Sequence, residues 1–304
     1  MTAPRYRTVD VPVDGGDLRV GVWEPATEQS DGAVVLIHGV TASHLAFAHV
    51  VPHLPNVLVI APDLRGRGRS AGIRGDAGMA AHADDIVAAL DALGVERATV
   101  VGHSMGGFVA MVLAHRHPDR VARTLLVDGG VPLDVPANVP AEVLVGAILG
   151  PTAERLSMRF ADLDAYLDYW RPHPAFDGAW DAELEAYFAY DLVPDGDEYR
   201  AATSLDVTVA DTRDMIEGHA LHDAIAAAAP PMRLVTVGRG LLGEEPGLYA
   251  PDYLERALDA LPAVEHERLD GFNHYTIVMS PDGGCTVAAL AEREIEAAKK
   301  GALT

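Results

Sequence analysis

Six short runs of nearly uniform apolar character punctuate this 304-residue chain, at 33–37, 57–61, 98–101, 124–127, 233–237 and, more polar, 264–269. Each ends at a turn signal: His38-Gly39, Pro62-Asp63, Gly102, Asp128-Gly129, Gly238 and Asp270-Gly271. Runs this short cannot make a stable helix, and they lack the apolar–polar alternation of a half-exposed strand. They therefore read as strands buried on both faces. Helical patterns lie between them. The stretch 79–93 places Ile86, Leu90 and Leu93 on one side, 105–117 is apolar nearly all round, and 288–300 is amphipathic. Strands alternating with helices predict an α/β protein with a mostly parallel, doubly wound sheet. Before it, 9–13 and 18–23 flank Asp14-Gly15-Gly16-Asp17, which predicts an antiparallel hairpin.

The alternation lapses between 131 and 218. That stretch reads as several helices with no clear strand, and it carries 18 acids against five bases. Half of the chain's Phe, Trp and Tyr residues fall between Phe160 and Tyr190. The expected organisation is a core of 1–130 and 219–304 with a helical cap, 131–218, inserted into it.

Composition narrows the partners. Hydrophobic residues make up 49%, too many for a disordered chain. A formal charge of −22 repels nucleic acid and anionic membrane. Cys285 is the only cysteine, so neither an intrachain disulfide nor a cysteine-based zinc site can form. No apolar h-region follows the N-terminus, and no apolar stretch approaches the ~20 residues of a membrane helix. The expectation is a cytoplasmic protein with a small-molecule substrate and no nucleic acid or membrane partner; homo-oligomerisation stays open. Only Lys299 and Lys300 among 23 basic residues are lysine, which with abundant alanine suggests a GC-rich bacterial genome.

Gly102-His103-Ser104-Met105-Gly106-Gly107 joins an apolar strand to a buried helix. This is the G-x-S-x-G nucleophile elbow, whose sharp turn requires small residues beside the serine. The helix start beneath Ser104 has free backbone N–H groups, so the Met105 amide can face a developing oxyanion. The loop His38-Gly39-Val40-Thr41 offers the Val40 amide as a second donor, with His38 holding the loop by a hydrogen bond. Of 13 histidines, His274 alone lies in a loop after a strand and downstream of Ser104. It is the expected base. His103 reads as packing, and His44, His49 and His53 lack a carboxylate spaced to complete a metal site.

These features resemble the α/β-hydrolase fold superfamily: His38-Gly39, the Asp63–Ser70 loop (63-DLRGRGRS-70), the elbow at Ser104 and the late His274. The resemblance implies a serine hydrolase with a Ser-His-acid triad and no cofactor. Epoxide hydrolases and haloalkane dehalogenases share the fold but use an aspartate nucleophile, so Ser104 argues against both. In many members the acid follows the strand here placed at 233–237, but the loop after it offers only Glu244 and Glu245. Asp128 ends the preceding strand, as in certain lipases and fungal-toxin lactonases. An acid at a strand end is better held than one in a glycine-rich loop. Asp128 is therefore the preferred acid, with Glu244 or Glu245 as alternatives. The cap's aromatics, Tyr166, Trp170, Tyr187 and Tyr190 foremost, suggest a bulky apolar or aromatic substrate. The acidic cap suggests a neutral ester or lactone. Carbon–carbon hydrolysis of an anionic ring-cleavage product, with Arg155, Arg159 and Arg171 supplying cations, is the second expectation, and a non-catalytic binding protein the third.

Overall fold

A computed structural model describes residues 4–27, 30–135, 139–140, 143–144, 154–227 and 231–301. Eight strands form one sheet in the order β1 (Arg5–Val13), β2 (Gly16–Glu24), β4 (Leu58–Pro62), β3 (Ala33–Ile37), β5 (Ala98–His103), β6 (Val121–Val127), β9 (Met232–Arg239) and β10 (Val264–Asn273). The β1–β2 and β2–β4 pairs are antiparallel, and every other pair is parallel. Alternate residues of a strand point to opposite faces. Val35 and Ile37 accordingly pack into one core layer, with α1 (Met79–Ala92) and α2 (Met105–Arg116). Val34 and Leu36 pack into the other, with the C-terminal helix. Ten consecutive residues of α2, Met105–Ala114, are buried. β10 reads as more polar because it is an edge strand, largely exposed over Glu265–Arg268.

The C-terminal helix begins earlier than its apolar period suggests, spanning Pro281–Gly301. Asp282-Gly283-Gly284 looks like a turn, but its glycines answer to crowding: a Cβ on Gly284 would lie 2.2 Å from the His49 carbonyl oxygen.

Between β6 and β9 the chain forms α3 (Leu163–Trp170), α4 (Ala182–Asp191), α5 (Leu205–Glu217) and α6 (His219–Ala226). It also forms a hairpin, β7 (Leu192–Asp195) with β8 (Glu198–Ala201), where the sequence suggested no strand. Four-residue strands turning at Asp195-Gly196-Asp197 are too short to show alternation. Part of the expected cap, 136–138, 141–142 and 145–153, lies outside the described residues. Many of this insert's acids have local work. Asp162 and Asp181 cap α3 and α4 by accepting from the amides of Ala165 and Leu184. Asp211 and Asp214 of α5 accept from the amides of Gly78 and Met79, both at 2.7 Å. They cap α1, whose own N-cap glycine has no side chain to do so. Among the described residues no helix is long and apolar enough to cross a membrane.

Candidate active site

The elbow is wedged tightly in place. Ser104 sits between β5 and α2 with φ +56°, and Asp128, just past β6, has φ +46°. Among the described residues these are the only non-glycine residues with positive φ. Such backbone costs energy and persists only where the surroundings enforce it. Here the enforcement is close packing: a Cβ on Gly106 would lie 2.1 Å from the Ile37 carbonyl oxygen, and one on Gly129 would lie 2.0 Å from that of Ser104. The parallel register pairs His103 with Val127. Ser104 and Asp128 are therefore the first residues past the ends of neighbouring strands.

His274 follows β10. Its Nδ1 lies 2.6 Å from Asp128 Oδ2, and both side chains are buried. The other carboxylate oxygen of Asp128 accepts from the Val237 amide at 3.3 Å. The turn carrying His274 is fixed by Asn273, whose Oδ1 accepts from the amides of Tyr275 and Thr276 at 3.0 and 2.9 Å. The His274 carbonyl accepts from His103 Nε2 at 2.8 Å. Burial holds His103 well below the usual imidazole range, so it donates as a neutral ring. Glu244 does not reach this site: its carboxylate accepts from the Leu242 amide at 2.7 Å and closes its own loop.

His38 is completely buried and acts on the backbone, as the sequence suggested. Its Nε2 accepts from the Leu64 amide at 3.0 Å, so Nδ1 carries the proton and donates to the Gly39 carbonyl at 2.7 Å. That carbonyl belongs to the peptide unit whose N–H is that of Val40. Burial lowers His38 to about 3. Unfolded, the ring takes its proton near 6.5, so between about 6.5 and 3 the unfolded chain binds more protons and stability falls as pH falls. Burial alone would raise Asp63, but bonds from His44 and Tyr190 hold it at about 2, so its contribution is lost lower still, as pH drops from 3.8 toward 2. Guanidinium denaturation should therefore show His38 costing about 1.4 kcal/mol per pH unit, roughly 2 kcal/mol between pH 6.5 and 5. His38→Gln, which keeps an acceptor for Leu64, should remove that component of the slope; an unchanged slope would refute the assignment.

Two lobes of a cavity meet at Ser104. Val40, Ser104, Leu241 and His274 line both. One lobe continues between Met105, Phe108, Leu133, Thr212, Met215 and Leu248. The other runs past Gly39, Thr41, Ala42, Tyr187, Tyr275 and Met279. Among the described residues the only ionisable side chains on these walls are histidines and tyrosines. No cluster of His, Cys, Asp or Glu among the described residues could hold a metal ion.

The family model of the alpha/beta hydrolase fold matches residues 32–163, which include the Val40 loop, the elbow and Asp128. The chain has the α/β-hydrolase fold. It is 44% identical over 108 residues to an uncharacterised protein of Mycobacterium tuberculosis, covering 35% of this chain and 32% of that one. It is 41% identical over 121 residues to lipase LipV of the same species, covering 39% and 44%. The chain thus spans less than half the length of these curated relatives. The thioesterase domain from the curacin biosynthetic pathway shares the fold, with TM-score 0.74 and 18% identity over 95% of this chain and 99% of that one.

Within this hydrolase fold, three of the four aromatics expected at the substrate are engaged elsewhere. Tyr166 is fully buried, and its hydroxyl meets Arg155 at 2.8 Å and the Asp191 carboxylate. Trp170 stacks on Phe188 at 4.4 Å. Tyr190 donates to Asp63 at 2.6 Å, with Arg69 over its ring. Of the four, only Tyr187 lines the cavity. A small insert needs its aromatics for its own core and for docking onto the sheet. The walls are instead mostly aliphatic. The readable signal was α5, where Thr208, Asp211, Thr212 and Met215 recur at helical spacing.

Proposed function

We propose that this protein is a serine hydrolase of neutral, apolar carboxylic esters, with Ser104, His274 and Asp128 as its triad. The observation that carries this reading is the 2.6 Å contact between Asp128 and His274 on the wall of a cavity that Ser104 also lines. Asp128 holds the Nδ1 proton, leaving Nε2 of His274 to take the Ser104 proton as Oγ attacks the carbonyl carbon. The oxyanion is received by the amides of Val40 and Met105. Collapse expels the alcohol, which takes its proton from His274. Water activated by the same ring then releases the acid. Similarity to a lipase agrees with this chemistry.

The two-lobed cavity favours an open-chain ester over a small lactone. A bond held at Ser104 sends one arm into each lobe, whereas a ring keeps both arms in one. The apolar walls favour neutral arms. Carbon–carbon hydrolysis of an anionic diketone is disfavoured because its expected cations are occupied: Arg155 by Asp191, Arg159 by Asp195 and Arg171 by Asp168.

The test is a fluorophosphonate probe followed by peptide mapping, with a panel of p-nitrophenyl esters, δ-lactones and a vinylogous diketone acid. Labelling at Ser104 and turnover of the esters are expected; an unlabelled serine ends the reading. Met215→Trp should lower kcat/KM for the octanoate about tenfold while leaving the acetate within about threefold, because only the long arm reaches that wall. Equal loss on both would remove Met215 from the binding wall.

A further inference from the structure

Three ionisable side chains that the proposed chemistry does not use, Arg67, His82 and Asp211, are completely buried beside the cavity. Arg67 belongs to the loop that follows β4. Its Nε donates to the Val40 carbonyl at 2.8 Å, and its Nη1 donates to the Arg65 carbonyl at 2.9 Å and to the Asp211 carboxylate. Its Nη2 lies 3.8 Å from Met105 Sδ. One guanidinium therefore touches both residues whose amides are the proposed oxyanion donors. Asp211 is held in turn by the Gly78 amide at 2.7 Å and His82 Nε2 at 3.0 Å. It sits on α5, where the next residue, Thr212, and Met215 one turn on line the lobe that continues past Met105.

Stability alone does not account for this pair. Burying two charges sacrifices hydration that their attraction only partly restores, and apolar side chains of similar volume serve packing as well or better. A buried, several-fold bonded pair does supply directional rigidity. Two backbone amides can receive an oxyanion only when held within a fraction of an ångström. His38 fixes the peptide on the N-terminal side of Val40, at the Gly39 carbonyl, and Arg67 fixes the one on its C-terminal side.

We propose that Asp211 is a positioning residue: through Arg67 it ties the helix forming the wall of the apolar lobe to the loop carrying the Val40 amide. This inference rests on the ester-hydrolase reading above. Pressure of a substrate arm on Thr212 and Met215 and the aim of the Val40 N–H are then properties of one rigid unit.

The test uses the full chain with p-nitrophenyl butyrate as substrate and benzeneboronic acid as a tetrahedral mimic. Wild type comes first: absence of both turnover and fluorophosphonate labelling would defeat the hydrolase reading, independently of Asp211. With wild type active, Asp211→Asn should lower kcat about thirtyfold and weaken boronate binding by a similar factor, with KM within about threefold. Asp85→Asn is the matched control. It breaks another buried pair, Arg65 of the same loop with Asp85 of α1 at 2.7 and 2.8 Å, and none of the Arg65 side-chain hydrogen bonds goes to Val40. It should lower the denaturation midpoint and leave kcat within about threefold. Wild-type kcat in folded Asp211→Asn, unchanged boronate affinity, or an equal kcat loss in Asp85→Asn would each overturn the proposal. Should Asp211→Asn fail to fold, the apolar double variant Arg67→Met with Asp211→Leu restores a burial-compatible pair. It should fold and still lose kcat and boronate affinity; wild-type kcat in it would overturn the proposal equally.

Discussion

Ser104→Ala is expected to lower kcat for p-nitrophenyl butyrate by about 10⁵- to 10⁶-fold, ~7–8 kcal/mol of lost barrier reduction. The size follows from the hydroxyl's role: without Oγ no acyl-enzyme forms, and only the oxyanion donors and the apolar walls remain to assist water. Folding should survive, because Ser104 is partly exposed and its strained backbone is imposed by neighbours rather than by its side chain. Thermal midpoints of wild type and variant should agree closely. Retention of more than about a thousandth of the activity in the variant would mean that another residue attacks the carbonyl.

Asp128→Asn is expected to cost about 10⁴-fold in kcat. The carboxylate accepts from His274 Nδ1 at 2.6 Å and so keeps the proton there. An amide in its place can donate to Nδ1, which moves the ring proton to Nε2 and leaves no lone pair for the serine proton. The effect should fall on kcat far more than on KM. Glu244→Gln should stay within about threefold of wild type, since that carboxylate closes its own loop through the Leu242 amide. The opposite ranking would transfer the triad acid to the glycine-rich loop.

Much of this arrangement was legible because the chemistry demands rare local geometry. A serine at a strand-to-helix turn needs small neighbours, and Gly102 and Gly106 advertise that need in the chain itself. The apolar runs exposed the parallel sheet because strands covered on both faces have no polar side to interrupt them. Asp128 was readable as a polar residue at the end of such a run. The insert hid more. Its aromatics sit on short helices covered from several directions, so spacing does not separate those packing on each other, such as Trp170, Phe188 and Trp180, from the one that reaches the cavity, Tyr187. Its acidity also resists interpretation from charge alone, because acids there cap helices and neutralise buried arginines. Long-range partnerships such as Arg67 with Asp211, 144 residues apart, leave no periodic trace at all.

The register that sets Ser104 beside Asp128 makes the three proposed triad members unequal under thermal stress. Two of them ride on adjacent interior strands whose ladder breaks only when the whole sheet does. The third arrives from beyond β10, an edge strand largely exposed to solvent. Warming would therefore disarm this molecule from its rim inward, uncoupling the imidazole while the serine and its neighbouring carboxylate still stood in place.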